Sequence, residues 1–442
     1  MSELFAFQRA GVEFLRSRKR CLLGDEMGLG KTAQACIAIE DSALVICKAS
    51  LKYVWRDEVQ RWRPDLKFAA LKPGAKHFRT PGKGEVVATS YDSLPEWLVP
   101  QLTGDVDYRG REVKRANVPP AAAVALRRAT LIVDEAHATK SWKTLRSRKV
   151  KTLGRLCARN WMLTGTPLLS HPRDLFGVLD VGGMAWDLFG SWENYCDLFN
   201  ARKSGPWGET VWGDPDPRVP ELLRRVMLRR LRAEVMPELP KKIWQTVDCG
   251  EPGSKTWKLL DALAFKVDEL EKKTDTFDLS DFFHVRALLA RERIDAMLEI
   301  VESHEEQEEP LVVFSAHRAP IDALEGRERW KTITGDTTEK NRADFVRAFQ
   351  EGALAGLALT IGAGGVGITL TRGSTALFVD LDVTPALNAQ AEDRLVRIGQ
   401  EASSVLIMRM VSSHPVDKRV HQLIEQKMKL FNAAIDGKRE AS

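Results

Sequence analysis

The sequence predicts an α/β protein of two tandem units, each an open and mostly parallel sheet, with a helical insertion between them. Short apolar runs recur, each ending in a polar tip and followed by a helical pattern, as buried parallel strands and their crossover helices do. The series runs through residues 1–180, gives way to a helical, aromatic-rich segment at 181–305, resumes at 306–415, and ends in a helix and tail at 416–442. The polar tips collect glycine, lysine, threonine and paired carboxylates, the residue types that serve ligands at the strand ends of open α/β sheets.

Composition bounds the class. The 442 residues are 44% hydrophobic and 29% charged, which excludes a disordered chain and suggests two or three domains. A net charge of +5 drawn from both signs is a mild positive bias, compatible with a nucleic-acid partner. Cys21, Cys36, Cys47, Cys157, Cys196 and Cys249 are scattered without a C-x-x-C pair and read as reduced core thiols. No leader and no apolar run long enough for a bilayer is visible, so the expected setting is cytoplasmic or nucleoid-associated, with no membrane partner.

In the first unit, Leu4 to Leu15 is apolar at helical spacing and carries Gln8, an amide suited to an adenine edge or an ordinary polar helix position. Cys21-Leu22-Leu23 is a strand leading into Asp25-Glu26-Met27-Gly28-Leu29-Gly30-Lys31-Thr32 and then a helix. Strand, glycine turn and helix either suit a phosphate cradle, with Lys31 for the outer phosphates and Thr32 for Mg²⁺, or are a chance Gly-Lys-Thr turn. Asp25 stands where the general phosphate-loop pattern has glycine. After the strand Ala43–Cys47, the segment Lys48 to Trp55 is a polar turn entering a helix, either a phosphate-backbone contact or a solvated loop. Glu85 to Tyr91 is the next strand, and Gly104 to Pro120 reads as a basic surface loop. The strand Leu131-Ile132-Val133 ends in Asp134-Glu135-Ala136-His137. Paired carboxylates at an apolar strand tip are costly unless a cation or a reaction uses them. Trp161-Met162-Leu163 is a strand followed by Thr164-Gly165-Thr166-Pro167, either a hydroxyl-bearing turn suited to sensing the phosphate site or a simple strand-to-helix turn ended by proline.

The insertion holds helical pieces around Trp186 to Phe199, then the basic run Met227 to Arg232, which either binds phosphate, braces the two units or is a solvated face. Ser254 to Leu270 and Phe282 to Val301 read as long helices, and the acidic run Glu302 to Glu309 as a solvated helix end. The second series has strands Leu311–Phe314, Leu357–Thr360 and Ala376–Val379, with a helix carrying Phe345 and Phe349. It has a glycine loop, Gly362 to Thr369, in place of a phosphate loop. Arg394 and Arg397, three apart, are expected on one helix face, where they could stabilise charge on a phosphoryl group or form surface ion pairs. A helix from Val416 to about Phe431 precedes a short polar tail.

These motifs, in this order, resemble the helicase-like ATPases of superfamily two, specifically the Swi/Snf family of DNA translocases. The resemblance rests on DEMGLGKT at 25–32, DEAH at 134–137, LTGTPL at 163–168, LRRLRAEVMPELPKK at 228–242, GAGGVGITL at 362–370 and QAEDRLVRIGQ at 390–400. It accounts for Asp25, and the LTGTPLLSHPRDLF run and the QAEDR wording look most like the annealing-helicase (HARP-type) branch. The chain departs from the family pattern at Lys48, where proline is usual, at Asp382 to Pro385, which lacks a tryptophan, and at Leu395-Val396, which replaces a histidine-containing pair. No accessory reader or nuclease domain is visible.

The resemblance implies two RecA-like lobes with ATP between them. Gln8, Asp25, Met27, Gly28, Leu29, Gly30, Lys31 and Thr32 would bind the nucleotide, with Gly367 from the second lobe. Thr32 and Asp134 would hold Mg²⁺, and Glu135 would be the base. Arg394 and Arg397 would join Lys31 and Glu135 as catalytic residues in a closed state. DNA, double-stranded or forked, would be held without sequence preference by Lys48, Ser50, Lys52, Ser90, Tyr91, Ser315, His317 and Gly365. The expectation is a monomeric DNA-dependent ATPase translocating on duplex DNA. The alternatives are a strand-annealing or strand-separating helicase on forks, and a non-enzymatic ATP-gated DNA switch.

Overall fold

The structure is a computed structural model that describes residues 3–106, 112–167, 171–204, 209–250, 279–364, 368–397 and 399–436. The described residues fall into two units, one drawn from Met1–Ala201, Trp212–Val235 and Phe431–Ser442, the other from Arg202–Val211 and Met236–Leu430. No helix among the described residues is long and apolar enough to cross a membrane.

The first unit is built on a seven-stranded sheet. Its strands are β1 (Arg20–Leu23), β2 (Ala43–Cys47), β3 (Lys67–Ala70), β4 (Glu85–Ser90), β5 (Thr130–Asp134), β6 (Arg159–Leu163) and β7 (Met227–Leu228). The order is β7-β1-β6-β5-β2-β4-β3, and every pairing is parallel. Parallel strands need helical crossovers on their faces, so the central strands are buried on both sides. That is why Leu44, Val45 and Ile46 form an unbroken apolar run with no solvent exposure.

The second unit has a six-stranded parallel sheet of β8 (Lys241–Asp248), β9 (Leu311–Ser315), β10 (Trp330–Ile333), β11 (Gly356–Thr360), β12 (Thr375–Phe378) and β13 (Ser404–Val411). Its order is β8-β13-β12-β9-β11-β10. The expected α/β architecture of two parallel-sheet lobes is therefore present, and every strand read from the sequence exists to within a residue or two. β3, β7, β8, β10 and β13 were not read; β7 lies in a basic run and β8 is mostly exposed.

Other local readings are corrected. Within the expected loop from Gly104 to Pro120, the described residues include parts of an antiparallel pair, Gln101–Val106 with Glu112–Arg115, whose register shift hides its alternation. The expected single helix Phe282–Val301 is two, Leu279–Glu292 and Ile294–Glu306. They part at Arg293, whose buried guanidinium binds the Val379 carbonyl and Asp417. The acidic run is not wholly solvated, since Glu305 accepts from Arg327 at 2.9 Å and from the Trp330 indole at 2.7 Å. The expected polar tail begins as a helical turn, Asn432–Asp436, with Ala434 and Ile435 buried in the first unit's core. The expected helix Ser254–Leu270 lies outside the described residues.

Candidate active site

Strand order assembles the site. β6 lies between β1 and β5, so the turn after β6 is flanked by the phosphate loop after β1 and the carboxylates after β5. Three sequence-distant motifs thereby share the carboxyl end of one sheet, where open α/β sheets bind ligands.

The phosphate loop ends on Gly30, which caps the helix Lys31–Ala38 in the left-handed conformation at φ 72°. Gly28 is also left-handed, at φ 85°. A Cβ on Gly30 would lie 2.5 Å from Gln8 Nε2, so glycine is required both for the backbone and for the approach. Gln8 is buried, donates to the Leu29 carbonyl at 3.4 Å and accepts from the Phe5 amide at 3.1 Å. Lys31 Nζ donates to the carbonyls of Asp25 at 2.7 Å and Glu26 at 3.1 Å. Desolvation holds the Lys31 pKa below its ordinary value, while Asp25, Glu135 and Asp134 oppose that shift. Thr32 is half-buried, and Met27 is buried with its sulfur against Gly165.

Asp25 is fully buried and is explained by the basic run. Arg230 donates to Asp25 Oδ1 at 2.9 Å, to Oδ2, to Gln34 Oε1 at 2.9 Å and to the Phe7 carbonyl. Arg232 grips Glu26, with Nη2 2.7 Å from Oε1. Arg229 donates to the Gly24 carbonyl at 2.8 Å and the Gly165 carbonyl at 3.3 Å, and its guanidinium lies over the Phe431 ring. Of the readings open for this run, the structure shows a brace within the first unit, fastening residues 24–26. The missed signal was the buried Asp25, which needed a cation from elsewhere in the chain.

At the tip of β5, Asp134 accepts from the Trp55 indole at 2.8 Å and from the Glu135 amide at 2.9 Å. Burial, then the neighbouring Glu135, raises its pKa to about 6. Trp55, fully buried, is a positioning residue that sequence reasoning missed; a buried indole N–H needs an acceptor, and that was the available signal. Glu135 sits at φ 52° in left-handed backbone, pinned by the Tyr91 hydroxyl, which donates to the carbonyls of Asp134 at 2.7 Å and Glu135 at 3.4 Å. His137 Nδ1 is 3.3 Å from Glu135 Oε2 and 3.1 Å from Thr164 Oγ1.

In the second unit the helix Pro385–Glu392 ends before the arginine pair, which corrects the expected shared helix face. Short-range bonds from Arg394 N to Ala391 O and from Leu395 N to Glu392 O turn the chain off the helix axis. Arg394 is buried and donates to the Ile368 carbonyl at 3.4 Å. Arg397 is half-buried and donates to the Asp393 carbonyl at 3.1 Å and to Thr369 Oγ1 at 3.3 Å. Gly365 and Gly367 lie outside the described residues.

The expected DNA contacts divide by orientation. Lys48 lines a cavity of about 770 Å³, together with Tyr91, His137, Lys140, Arg146 and Lys149 among others. Lys52 is corrected: the residue is buried and its ammonium turns inward to the Leu71 carbonyl at 2.9 Å. Tyr91 directs its hydroxyl to the Asp134 carbonyl, and Ser90 Oγ pairs with Ser93 Oγ at 2.8 Å. Ser50 is half-buried. Ser315 is fully buried and bonded to Asp380, so it is not a surface contact; His317 Nδ1 lies 2.6 Å from Asp380 Oδ2. Asp380, an acid at the end of an apolar run, was missed although the reasoning that found Asp134 applied to it.

The residues present fit an Mg²⁺–nucleotide. A left-handed glycine turn opening a helix, a lysine at that helix's first position, and hard oxygen donors from Thr32 and Asp134 are what a triphosphate and Mg²⁺ take.

Fold and site define a helicase-like, ATP-binding α/β protein. Residues 7–258 match the SNF2-related domain and residues 292–399 the helicase conserved C-terminal domain. The chain belongs to the SNF2-related family, as its motifs implied. It is 30% identical over 453 residues to the SWI/SNF-related matrix-associated actin-dependent regulator of chromatin subfamily A-like protein 1 of Xenopus tropicalis, covering 98% of this chain and 45% of that protein. It is 27% identical over 465 residues to the human DNA annealing helicase and endonuclease ZRANB3, covering 99% of this chain and 41% of that one. The chain thus spans less than half the length of these relatives. Among solved structures, the Sulfolobus solfataricus SWI2/SNF2 ATPase core in complex with dsDNA aligns at 19% identity and TM-score 0.41, over 99% of this chain and 93% of that one.

Proposed function

We propose that the chain is a DNA-dependent ATPase that translocates on double-stranded DNA and remodels DNA or protein–DNA complexes. The observation that carries the reading is the convergence of Lys31, Asp134 and Glu135 at one sheet end, with Thr164 between them. In this reading Lys31 and the loop amides receive the phosphates, with Gln8 at the base side, and Thr32 and Asp134 hold Mg²⁺. MgATP, when bound, supplies the γ-phosphoryl group and the cation that withdraws charge from it. Glu135 orients the attacking water and accepts its proton; Arg394 and Arg397 respond to charge on the phosphoryl oxygens. Lys48 and the basic cavity beside it take a DNA backbone through phosphate contacts, which makes binding sequence-tolerant and salt-sensitive.

A second reading, action on forked DNA by annealing or separating strands, is favoured by the similarity to a protein named as a DNA annealing helicase. One experiment tests both. ATP hydrolysis is measured with no polymer, single-stranded DNA, blunt duplex, forked DNA and RNA. Stimulation by duplex supports translocation, and a further gain on forks supports the second reading. Equal rates with every polymer count against both.

A further inference from the structure

The nucleotide motifs occupy the carboxyl end of the first sheet, and the opposite end is basic. Two runs arrive there, Arg16-Ser17-Arg18-Lys19-Arg20 leading into β1 and Arg127-Arg128 just ahead of β5. Lysine- and arginine-rich runs of about five residues mark surfaces for nucleic acid or similar polyanions. β6 lies between β1 and β5 and begins with Arg159, so three neighbouring strands bring cations to one edge. Backbone bonds hold these segments together: the Asn160 amide donates to the Lys19 carbonyl at 2.7 Å, and the Ala158 amide to the Ala129 carbonyl at 3.0 Å. Arg20 is in register with Asn160, so Lys19 comes level with Arg159 on the next strand. Like charges on strands about 4.8 Å apart repel.

The same segments line a cavity of about 430 Å³, where Arg16, Lys19, Arg128 and Arg159 meet only two acids, Glu40 and Asp41. Part of this charge is answered within the chain. Arg159 donates to both oxygens of Glu40, at 3.0 and 3.1 Å, and Arg16 to the Ile37 carbonyl at 2.7 Å. The partial negative charge of a helix end also favours Arg16, which sits in the last turn of its helix. Lys19 and Arg128 stand past the ends of the helices before them. Both are exposed, and neither has a bonded or ion-paired partner among the described residues. The edge is therefore short of anions, and nothing in the nucleotide site uses it.

We propose that this edge binds a second segment of nucleic acid through its phosphate backbone, apart from the segment taken at Lys48. A phosphodiester is the ligand that fits, because the cations follow the ends of neighbouring strands as a row and a row of charges matches a polymer better than a single anion. Lys48 follows the carboxyl end of β2, and β2 pairs in parallel with β5. The two basic surfaces thus lie at opposite ends of the strands, roughly 15 Å apart, and one straight backbone does not lie on both. A fork, or a duplex that loops back, offers two segments. The second site needs nucleic acid and not hydrolysis, so it stands or falls apart from the chemistry at Glu135.

The test is equilibrium binding of DNA by the full chain without nucleotide, followed by fluorescence anisotropy over a range of salt. The parent should bind two copies of a short blunt duplex at low salt, and the double variant Lys19→Gln, Arg128→Gln should bind one. With forked DNA, the slope of log affinity against log salt should fall by about two in the double variant, about one for each lost phosphate contact. Glu40→Gln, which releases Arg159, should tighten binding and steepen that slope by about one; damage to the fold does not strengthen binding. Unchanged stoichiometry and slope in the double variant overturn the proposal. So does a larger loss for polyglutamate than for DNA, which marks an acidic protein as the partner. A parent that binds a single duplex, lost in Lys48→Gln, overturns it as well. A parent that binds two duplexes but hydrolyses no ATP supports the second site and overturns the ATPase reading alone.

Discussion

Replacing Arg230 with methionine should be among the most damaging single changes near the nucleotide loop. Asp25 is fully buried, and its carboxylate accepts from two nitrogens of Arg230 and from Gln34 Nε2 at 3.2 Å. Arg230→Met keeps the apolar stem but leaves the charge facing one neutral amide. Breaking a buried pair by removing one partner costs about 3–5 kcal/mol. For a folding unit of roughly 150–250 residues, each kcal/mol lowers Tm by about 2–4 °C, so the first unit's transition should fall by roughly 6–20 °C. Asp25→Asn in the same chain removes the stranded charge, and the double variant should recover about 1–3 kcal/mol relative to the sum of the singles. Calorimetry on the four proteins of this cycle, with nucleotide binding alongside, supplies the numbers. The reasoning fails if Arg230→Met lies within about 0.5 kcal/mol of the parent, the range of an ordinary surface change, and nucleotide affinity is also unchanged.

Lys31→Ala should abolish hydrolysis while the chain stays folded, since Nζ makes only two hydrogen bonds to carbonyls, worth about 1 kcal/mol each; DNA-stimulated turnover that survives the change would remove Lys31 from its role. Arg397→Ala should lower turnover by about 10³-fold or more with nucleotide binding retained, because an arginine finger acts on transition-state charge; near-normal single-turnover rates would count against it. Glu392→Gln should destabilise the second unit by about 3 kcal/mol near neutral pH, because Glu392 is buried and accepts from Lys242 at 2.8 Å and Arg409 at 2.7 Å. Burial alone would raise the Glu392 pKa, but Lys242 and Arg409 override it and hold it down. Its contribution is therefore present above the ordinary carboxylate pKa and lost as pH falls through the lower folded value. Urea midpoints at about pH 7 and at about pH 4 should converge between parent and variant toward acid, and a gap of constant size would contradict the assignment.

The central strands were legible because a parallel strand buried on two faces must be apolar along its length, and Leu44-Val45-Ile46 and Val312-Val313-Phe314 are, whereas the strands at Lys67–Ala70, Met227–Leu228, Lys241–Asp248, Trp330–Ile333 and Ser404–Val411 were not read. The phosphate loop was legible because Gly28 and Gly30 need left-handed backbone that other residues rarely adopt. What stayed hidden depends on partners distant in sequence. Lys52 reads as a surface cation until the Leu71 carbonyl is seen above it. Ser315 reads as a hydroxyl for a ligand until Asp380 takes it. Ala434 and Ile435 are too few to announce a buried turn, and only the first unit's core shows where they go.

The two strand-tip acids show how one sequence signal leads to different chemistry. Asp134 and Asp380 each follow an apolar run at the carboxyl end of a parallel sheet; Asp380 is buried and Asp134 half-buried. Around Asp134 the structure supplies an indole N–H and the amide of the next residue, and it sets Glu135 alongside. That is too little to compensate burial, so its pKa stands near 6 and the site favours an added cation. Around Asp380 it supplies the Ala316 amide at 3.1 Å, the Ser315 hydroxyl, the His317 imidazole and Arg286 at 3.7 Å. Burial would raise this acid too, but those partners more than offset it and hold its pKa below the ordinary range. An acid satisfied by its own chain has no need of a ligand, and what Asp380 does instead is fix the His317 ring. The distinction lies in the donors that folding brings to each tip, which is why sequence could find both carboxylates and could not say which of them would be left to do chemistry.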